Sequence, residues 1–380
     1  MAVIRRLQSE QEWKEAIALS DATFRDHEHR SMGEAYPYVF SSSLGQSYGA
    51  FVDGRLVSFM GLVPAVIRIG PAALNVYSLG SVCTHPDYRG QGIAGDILSE
   101  IFSHIDHADG TMLFVSGSRS LYSRAGCYPF GRVYGYRYDS SHLSSQELRE
   151  ATDQFVIREI QSTDWFQLHH LTQGESVRYE QSLWDLAQLI EAGAVASNRK
   201  HTMHSLVAER EGKVQAFIVY SIPTAASTEV STELYHYAGD RDTIRMLFEH
   251  AMVTHAAVGL NITVPDHDLE MQEQLKHVPH EERRCGGTLK IIRSERLLEQ
   301  LRPYLATQSS EVAEQIAVSS LENGLSLITI GARSVEVTPE ELLDVLFGSN
   351  EAISMEEELR TLLNHVFPVP LPFNGGLNFV

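Results

Sequence analysis

The sequence predicts an α+β chain made of two copies of one unit followed by a smaller third unit. Three observations carry this. Two segment pairs recur in the same order, a strand–glycine loop–helix passage occurs in the first copy, and the pattern changes after Lys290. The 380 residues suffice for two or three domains. A composition of 43% hydrophobic and 21% charged residues is ordinary for a folded chain.

The repeat is read from two pairs. "VIRRLQSEQEW" from Val3 and "VIREIQSTDWF" from Val156 each open as a short strand, then place a Ser or Thr to cap a helix. "YGAFVDGRLVSFMGLVP" from Tyr48 and "SLVAEREGKVQAFIVYSIP" from Ser205 each read as two strands about a tight turn. The turns are Asp53-Gly54-Arg55 and Glu211-Gly212-Lys213. Both pairs in one order indicate a duplicated domain. Beyond Lys290, "LITIGARSVEVTPEELLDVLFG" predicts two short strands and a helix. Thr338 caps that helix, Pro339 takes its first position, Glu341 completes a capping box and Gly348 stops it. The expected domains are 1–150, 151–293 and 294–380.

The passage that carries chemistry is "YSLGSVCTHPDYRGQGIAGDILSEIF", from Tyr77 to Phe102. Tyr77 to Thr84 reads as a strand, and Pro86 ends it because proline donates nothing to a ladder. "RGQGIAG" follows. Then Ile93, Ala94, Ile97, Leu98, Ile101, Phe102 and Ile105 recur at helical spacing. The first N–H groups of such a helix lack internal partners and sit at the positive end of its dipole. Gly90 and Gly92 let the backbone approach a diphosphate, and Arg89 adds a charge. A Walker A loop is excluded, since no Lys-Ser/Thr follows. Gly90, Gly92 and Gly95 fit the dinucleotide fingerprint, but no further βα unit follows them.

"VCTHPDYRGQGIAG" resembles the acetyl-CoA motif of the GNAT acetyltransferases, Arg/Gln-x-x-Gly-x-Gly/Ala, with Arg89, Gly92 and Ala94 in its fixed places. The resemblance implies tandem GNAT folds, with mixed, mostly antiparallel sheets flanked by helices. It implies acetyl-CoA as co-substrate, its pantetheine arm along the backbone of Val82, Cys83 and Thr84. The pyrophosphate would rest on Gly90, Gln91, Gly92, Ile93, Ala94 and Gly95. In the second copy Asp240, Arg241 and Asp242 stand where the loop should be. Carboxylates there repel a diphosphate, so the second copy is expected to keep the fold and lose the cofactor.

Two such halves plus a strand-rich third unit are similar to the Eis (enhanced intracellular survival) family, whose last domain resembles sterol carrier protein. That resemblance implies Tyr122, in "LYSRAG" with Arg124 and Gly126, as general acid. It implies the C-terminal carboxylate, here Val380, as general base, with Gly117 and Ser118 helping to place the acetyl and pantetheine groups. It further implies a homo-oligomer, with a hexamer as its form. The reaction would be direct acetyl transfer to a primary amine of a small cationic substrate: an aminoglycoside, a polyamine or a lysine-like molecule. Such an amine, with a pKa near ~10, must shed a proton before attack. From the residues alone, Tyr122 is either a tyrosine on a turn or a proton donor at a strand end.

The other features bound the answer. The tail "FPVPLPFNGGLNFV" carries Phe373, Leu377, Phe379 and Val380, which predicts a docked end. A net charge of −19 disfavours nucleic acid and anionic membranes; it serves cationic substrates or solubility alone. Asp21, Asp26 and Glu28 either attract a cationic acceptor or form a solvated helix face. The pairs His27/His29 and His201/His204 read as surface histidines. Cys83, Cys127 and Cys285 have neither disulfide nor zinc spacing, so no metal is expected. The alternating Tyr134, Tyr136 and Tyr138 fit core packing or a pocket wall. "MAVIRRLQSEQEW" lacks a secretory core, and no run approaches the roughly 18 apolar residues of a membrane helix. A cytoplasmic protein is the expectation. The alternative function is a non-catalytic CoA sensor or lipid carrier on a degenerate acetyltransferase fold; the intact "RGQG" loop with "LYSRAG" argues against it.

Overall fold

The computed structural model describes residues 2–142 and 154–380. The expected boundary at 150 falls outside the described residues. The first copy comprises β1 (Val3–Arg6), α1 (Glu10–Phe24), α2 (Met32–Ala35), β2 (Tyr48–Val52), β3 (Arg55–Ile69), β4 (Ala72–Thr84), α3 (Ile93–His107), β5 (Met112–Val115), α4 (Ser120–Arg124) and β6 (Val133–Asp139). The second comprises β7 (Val156–Arg158), α5 (Trp165–Gly174), β8 (Val177–Tyr179), α6 (Leu183–Ala192), α7 (Ala194–Asn198), β9 (His201–Arg210), β10 (Lys213–Pro223), β11 (Thr232–Gly239), α8 (Arg241–Thr254), β12 (Gly259–Pro265), α9 (Leu269–Gln274), β13 (His280–Arg283) and β14 (Thr288–Ile291). The third comprises α10 (Ser294–Gln308), α11 (Ser310–Gln315), β15 (Ile316–Ser320), β16 (Ser326–Ile330), β17 (Arg333–Val337), α12 (Pro339–Phe347) and α13 (Glu357–Asn364).

The fold is α+β, as the sequence predicts. The first sheet runs β1-β2-β3-β4-β5-β14 with β8 on the side of β3, the second runs β13-β6-β12-β11-β10-β9-β7, and the third is β15-β16-β17. The two hairpins of the repeat close where expected, with positive φ at Asp53 and Gly54 and at Glu211 and Gly212. In each copy the strand after the hairpin is followed by a helix and then by a parallel strand: β4 with β5, and β11 with β12.

The copies also trade strands. β6 leaves the first copy and pairs with β12, while β14 leaves the second and pairs with β5. β8 adds to the edge of β3, with Tyr179 opposite Ile67. This exchange explains Tyr136 and Tyr138: they are core residues of the second sheet, packed with Phe248 and Ile262.

Helix α3 buries Ile93, Ile97, Leu98, Ile101 and Ile105 against Met60, Leu62, Leu79 and Leu113. In α12 the Thr338 hydroxyl accepts from the Glu341 amide at 3.2 Å and the Glu341 carboxylate accepts from the Thr338 amide at 2.8 Å, the capping box that the sequence predicts. The third unit has one strand more than expected. β15 begins where α11 ends, without the turn residues that would announce it, and only Ile316 and Val318 mark its inner face. Its core is continuous with the first sheet, joining Ile67, Leu74 and Met112 to Leu297, Leu301, Ile328 and Leu343. Among the described residues no helix is long and apolar enough to cross a membrane.

Candidate functional site

The site begins where β4 and β5 part. The two strands pair from Val76↔Met112 to Leu79↔Val115. Beyond that point β4 continues to Thr84, while the other chain turns away at Ser116. A bulge on β4 sharpens the split: Phe59 pairs with Cys83 and Gly61 with Gly80, which leaves Ser81 and Val82 facing Met60 alone. Ser81 has φ +52°, a strained conformation for a side-chain-bearing residue, and its hydroxyl is buried without a hydrogen-bond partner among the described residues. Sequence reading treated this stretch as a plain strand.

One side of the split ends at the glycine loop. Gly90 and Gly92 have φ +75° and +82°, and Gly92 is the N-cap of α3 without a side chain to occupy the cap. A Cβ at Gly90, Gly92 or Gly95 would meet nothing within 4 Å, so open space lies over the loop. The exposed Gln91 side chain donates to the Asp87 carbonyl. The Arg89 side chain folds back onto the end of β4, its Nε donating to the Thr84 carbonyl at 3.0 Å. The Cys83 side chain points into the core with Phe59 and Val39, and burial pushes its thiol up to about 11. Its backbone alone is left to serve a ligand. The bare loop, the unblocked helix start and the strand backbone of Val82 to Thr84 fit a CoA diphosphate and pantetheine arm.

The other side carries Tyr122 on the short α4. Its ring packs over Gly117, where a Cβ would lie 2.9 Å from Cε2, so the glycine is required by the ring. The Gly117 carbonyl is fixed by the Thr288 hydroxyl at 3.1 Å, a bond that depends on the exchanged strand β14. Ser118 is exposed. Tyr122 is 5% exposed, and burial pushes its phenol above the ordinary tyrosine value. Such a phenol stays protonated at neutral pH and donates.

Val380 closes the floor. Its carboxyl carbon and oxygen lie against Gly80 so closely that a Cβ there would overlap them. The Phe379 and Val380 side chains pack with Tyr36, Val39, Phe59 and Cys83, so the tail is docked, as expected. Among the described residues no Lys, Arg or His pairs with this carboxylate.

Val380 also lines a cavity of about 700 Å³ between the first two copies. Its walls include Tyr36, Tyr38, Tyr77, Tyr179, Glu180, Asp185 and Phe379, and among the described residues no lysine, arginine or histidine. Glu180 is engaged by Arg68 at 2.5 Å. Asp185 takes hydrogen bonds from the Tyr38 hydroxyl at 2.7 Å and from the Ser182 amide and hydroxyl at 2.7 and 2.6 Å. Burial raises its pKa, yet these bonds outweigh burial and hold the carboxyl below its ordinary value. Sequence reading missed Asp185, whose partner Tyr38 lies far along the chain. Asp26 and Glu28 lie elsewhere: both carboxylates bind Lys200, at 2.7 and 2.8 Å, and neither lines this cavity. Asp21 caps the start of α2, accepting from the Met32 amide and the Ser31 hydroxyl.

The matching split in the second sheet is furnished differently. β11 and β12 pair only at Thr232↔Leu260 and Glu233↔Asn261 before they diverge. At the start of α8, Asp240 accepts from the Thr243 amide at 2.9 Å and so fills the cap. Arg241 is tied to Glu175 at 2.7 Å and to Asp268 at 3.0 Å. At this helix start the cap carries the Asp240 carboxylate, with the Glu175 and Asp268 carboxylates around Arg241, charges that repel a diphosphate.

Comparisons with known proteins bear on the fold and the domain type. Residues 3–130 match the family description "Acetyltransferase (GNAT) domain". A probable glycylpeptide N-tetradecanoyltransferase of Caenorhabditis elegans is 24% identical over 227 residues, 53% of this chain and 50% of that protein. The chain thus spans about half the length of that curated relative. Two solved structures share the fold along nearly the whole length. A GCN5-related N-acetyltransferase from Kribbella flavida has TM-score 0.65 and 12% identity, covering 98% of both chains. Eis1 from Mycobacterium abscessus has TM-score 0.61 and 13% identity, covering 99% of both. The matched domain is an acyltransferase domain, of a type that draws its acyl group from coenzyme A.

Proposed function

We propose that the chain is an N-acetyltransferase that moves acetyl from acetyl-CoA directly to a primary amine of a small cationic acceptor. One observation carries the reading: the Val380 carboxyl group sits at the β4 bulge and also lines a cavity with Asp185 and with Glu180, the latter paired to Arg68, while none of the described lining residues is a Lys, Arg or His. An ammonium is drawn to such a place and meets a base there. The cationic acceptor, rather than acyl transfer as such, is the part that depends on this cavity.

In this reading the amine enters from the cavity and gives a proton to the Val380 carboxylate, directly or through water. Its nitrogen attacks the thioester carbonyl, forming the amide bond as the C–S bond breaks, and the second proton shed by the nitrogen passes through water to restore the Tyr122 hydroxyl. The departing thiolate takes a proton or a strong hydrogen bond from the Tyr122 hydroxyl. Backbone at Gly117 and Ser118 orients the thioester end of the arm, and Val82, Cys83 and Thr84 pair with pantetheine. Amides from Gly90 to Ala94 hold the diphosphate, the Gly95 amide being engaged by the Gly92 carbonyl at 2.9 Å, and Arg89 adds charge beside it. The same reading takes the chain as Eis-like and oligomeric, with the third unit as its sterol-carrier-like domain.

Thiol release from acetyl-CoA, measured with spermidine, an aminoglycoside and N-acetyl-lysine methyl ester in turn, tests the proposal. Amine-dependent release with at least one acceptor is expected. Hydrolysis that no amine accelerates would refute it.

A further inference from the structure

The second copy has kept its fold while losing the features of a cofactor site, so its contribution must be sought elsewhere. The tail gives the answer. Leu377 is buried among Phe217, Tyr235 and Leu168 of the second copy, whereas Phe379 and Val380 pack into the first. Gly376 lies against the Tyr235 carbonyl, too close for any side chain. Between these anchors, Gln181 donates from Nε2 to Asn378 Oδ1 at 3.0 Å. Among the described residues this is the side-chain hydrogen bond that reaches the last five positions of the chain.

Gln181 is itself held fast. It is 5% exposed. It follows β8, whose pairing with β3 continues through the Glu180 amide to the Val66 carbonyl at 2.7 Å. Its own carbonyl accepts from His169 Nε2 at 3.1 Å and from Gln173 Nε2 at 3.4 Å, both on α5. The amide that grips the tail is therefore fixed to the first sheet by strand pairing and to the second copy by side chains. Asn378 is two residues from the carboxylate, so its alignment sets where that group points.

We propose that Gln181 is a positioning residue for the Val380 carboxylate, and that the second copy serves catalysis by aiming the tail through the Gln181–Asn378 bond. This rests on the acyl-transfer reading above. A base misplaced by 1 Å costs on the order of 100-fold in rate. Gln181 is the buried partner of this part-buried bond, so loss of Asn378 leaves its amide short of an acceptor and frees the tail to take a new setting.

Steady-state kinetics with acetyl-CoA and spermidine test this on Gln181→Leu, Asn378→Leu, the double variant and Asn378→Asp, with thermal midpoints measured alongside. Each Leu variant is expected to lose about 10- to 100-fold in kcat while KM for acetyl-CoA stays within about twofold. The double variant is expected to be no worse than the poorer single one, because one bond is lost in all three. Asn378→Asp keeps the accepting oxygen and is expected to retain most of the rate. The deficit should narrow as pH rises toward ~10, where the amine deprotonates without help. Unchanged kcat in both Leu variants, losses that multiply in the double variant, or a deficit that is flat with pH would each overturn the inference. If Gln181→Leu does not fold, Asn378→Leu on the tail decides. A wild-type chain without turnover removes the acyl-transfer reading and this inference together; turnover with indifferent variants removes this inference alone.

Discussion

Replacing Gly80 with alanine perturbs the site at one atom. The Gly80 backbone lies outside the left-handed region, so alanine is tolerated conformationally. The added methyl would fall within the space of the Val380 carboxyl carbon and oxygen, and 3.2 Å from its Cα. Non-bonded carbons settle at about 3.5–4.0 Å, so the carboxylate must retreat by more than about 1 Å. At that displacement an aligned proton acceptor loses roughly 100-fold in rate. The tail has somewhere to go, since Val380 borders an open cavity, so the cost falls on geometry rather than on the core. The assay is amine-dependent thiol release, with acetyl-CoA affinity from calorimetry as control. The expected result is a kcat lower by about two orders of magnitude and an affinity within about twofold. A Gly80→Ala chain with wild-type kcat would refute the placement of the carboxylate at the reacting centre.

Other outcomes follow from the same geometry. Tyr122→Phe should lower kcat at least about 10-fold with little change in acetyl-CoA affinity, because it removes one donor to the leaving thiolate; single-turnover kinetics at unchanged rate would exclude that role. Residues appended after Val380 should abolish most turnover, since the free carboxylate becomes an amide; an extended chain at full rate would contradict this. Calorimetry should find one acetyl-CoA per chain, because Arg241, Glu175 and Asp268 bind one another at the second split; two sites would contradict it. Arg158→Ala should cost roughly 1–3 kcal/mol in urea melts, since it leaves Asp164 with the Gln161 amide but no cation. The Arg158 hydrogen bond lowers the Asp164 pKa, so its stabilisation is full above the ordinary carboxylate value near ~3.9 and is lost as pH falls through the lower folded value. Acid unfolding of the wild type that the variant exactly mirrors would speak against this.

Local signals carried much of the fold. Asp53-Gly54 and Glu211-Gly212 announced the hairpins because a two-residue turn needs positive φ. The spacing of Ile93, Ile97, Leu98, Ile101 and Ile105 announced α3 because one face had to be buried. The exchange of β6 and β14 was invisible, since strand pairing between segments more than a hundred residues apart leaves no local trace. The glycine loop and Tyr122 could be read as short motifs. Gly80, Asp185 and Gln181 could not, because each acquires its role from a partner far along the chain: Val380, Tyr38 and Asn378 respectively. Asp26 and Glu28 drew notice as charges near a helix, but a distant lysine, Lys200, satisfies both.

The most direct measurement is a crystal structure of the chain grown with CoA. The account predicts one CoA per chain in the β4–β5 split, its diphosphate over Gly90 to Gly95. Its sulfur should lie within about 3.5 Å of the Tyr122 hydroxyl, on the side facing the Val380 carboxylate. CoA bound in the β11–β12 split instead, or a sulfur remote from both groups, would contradict it.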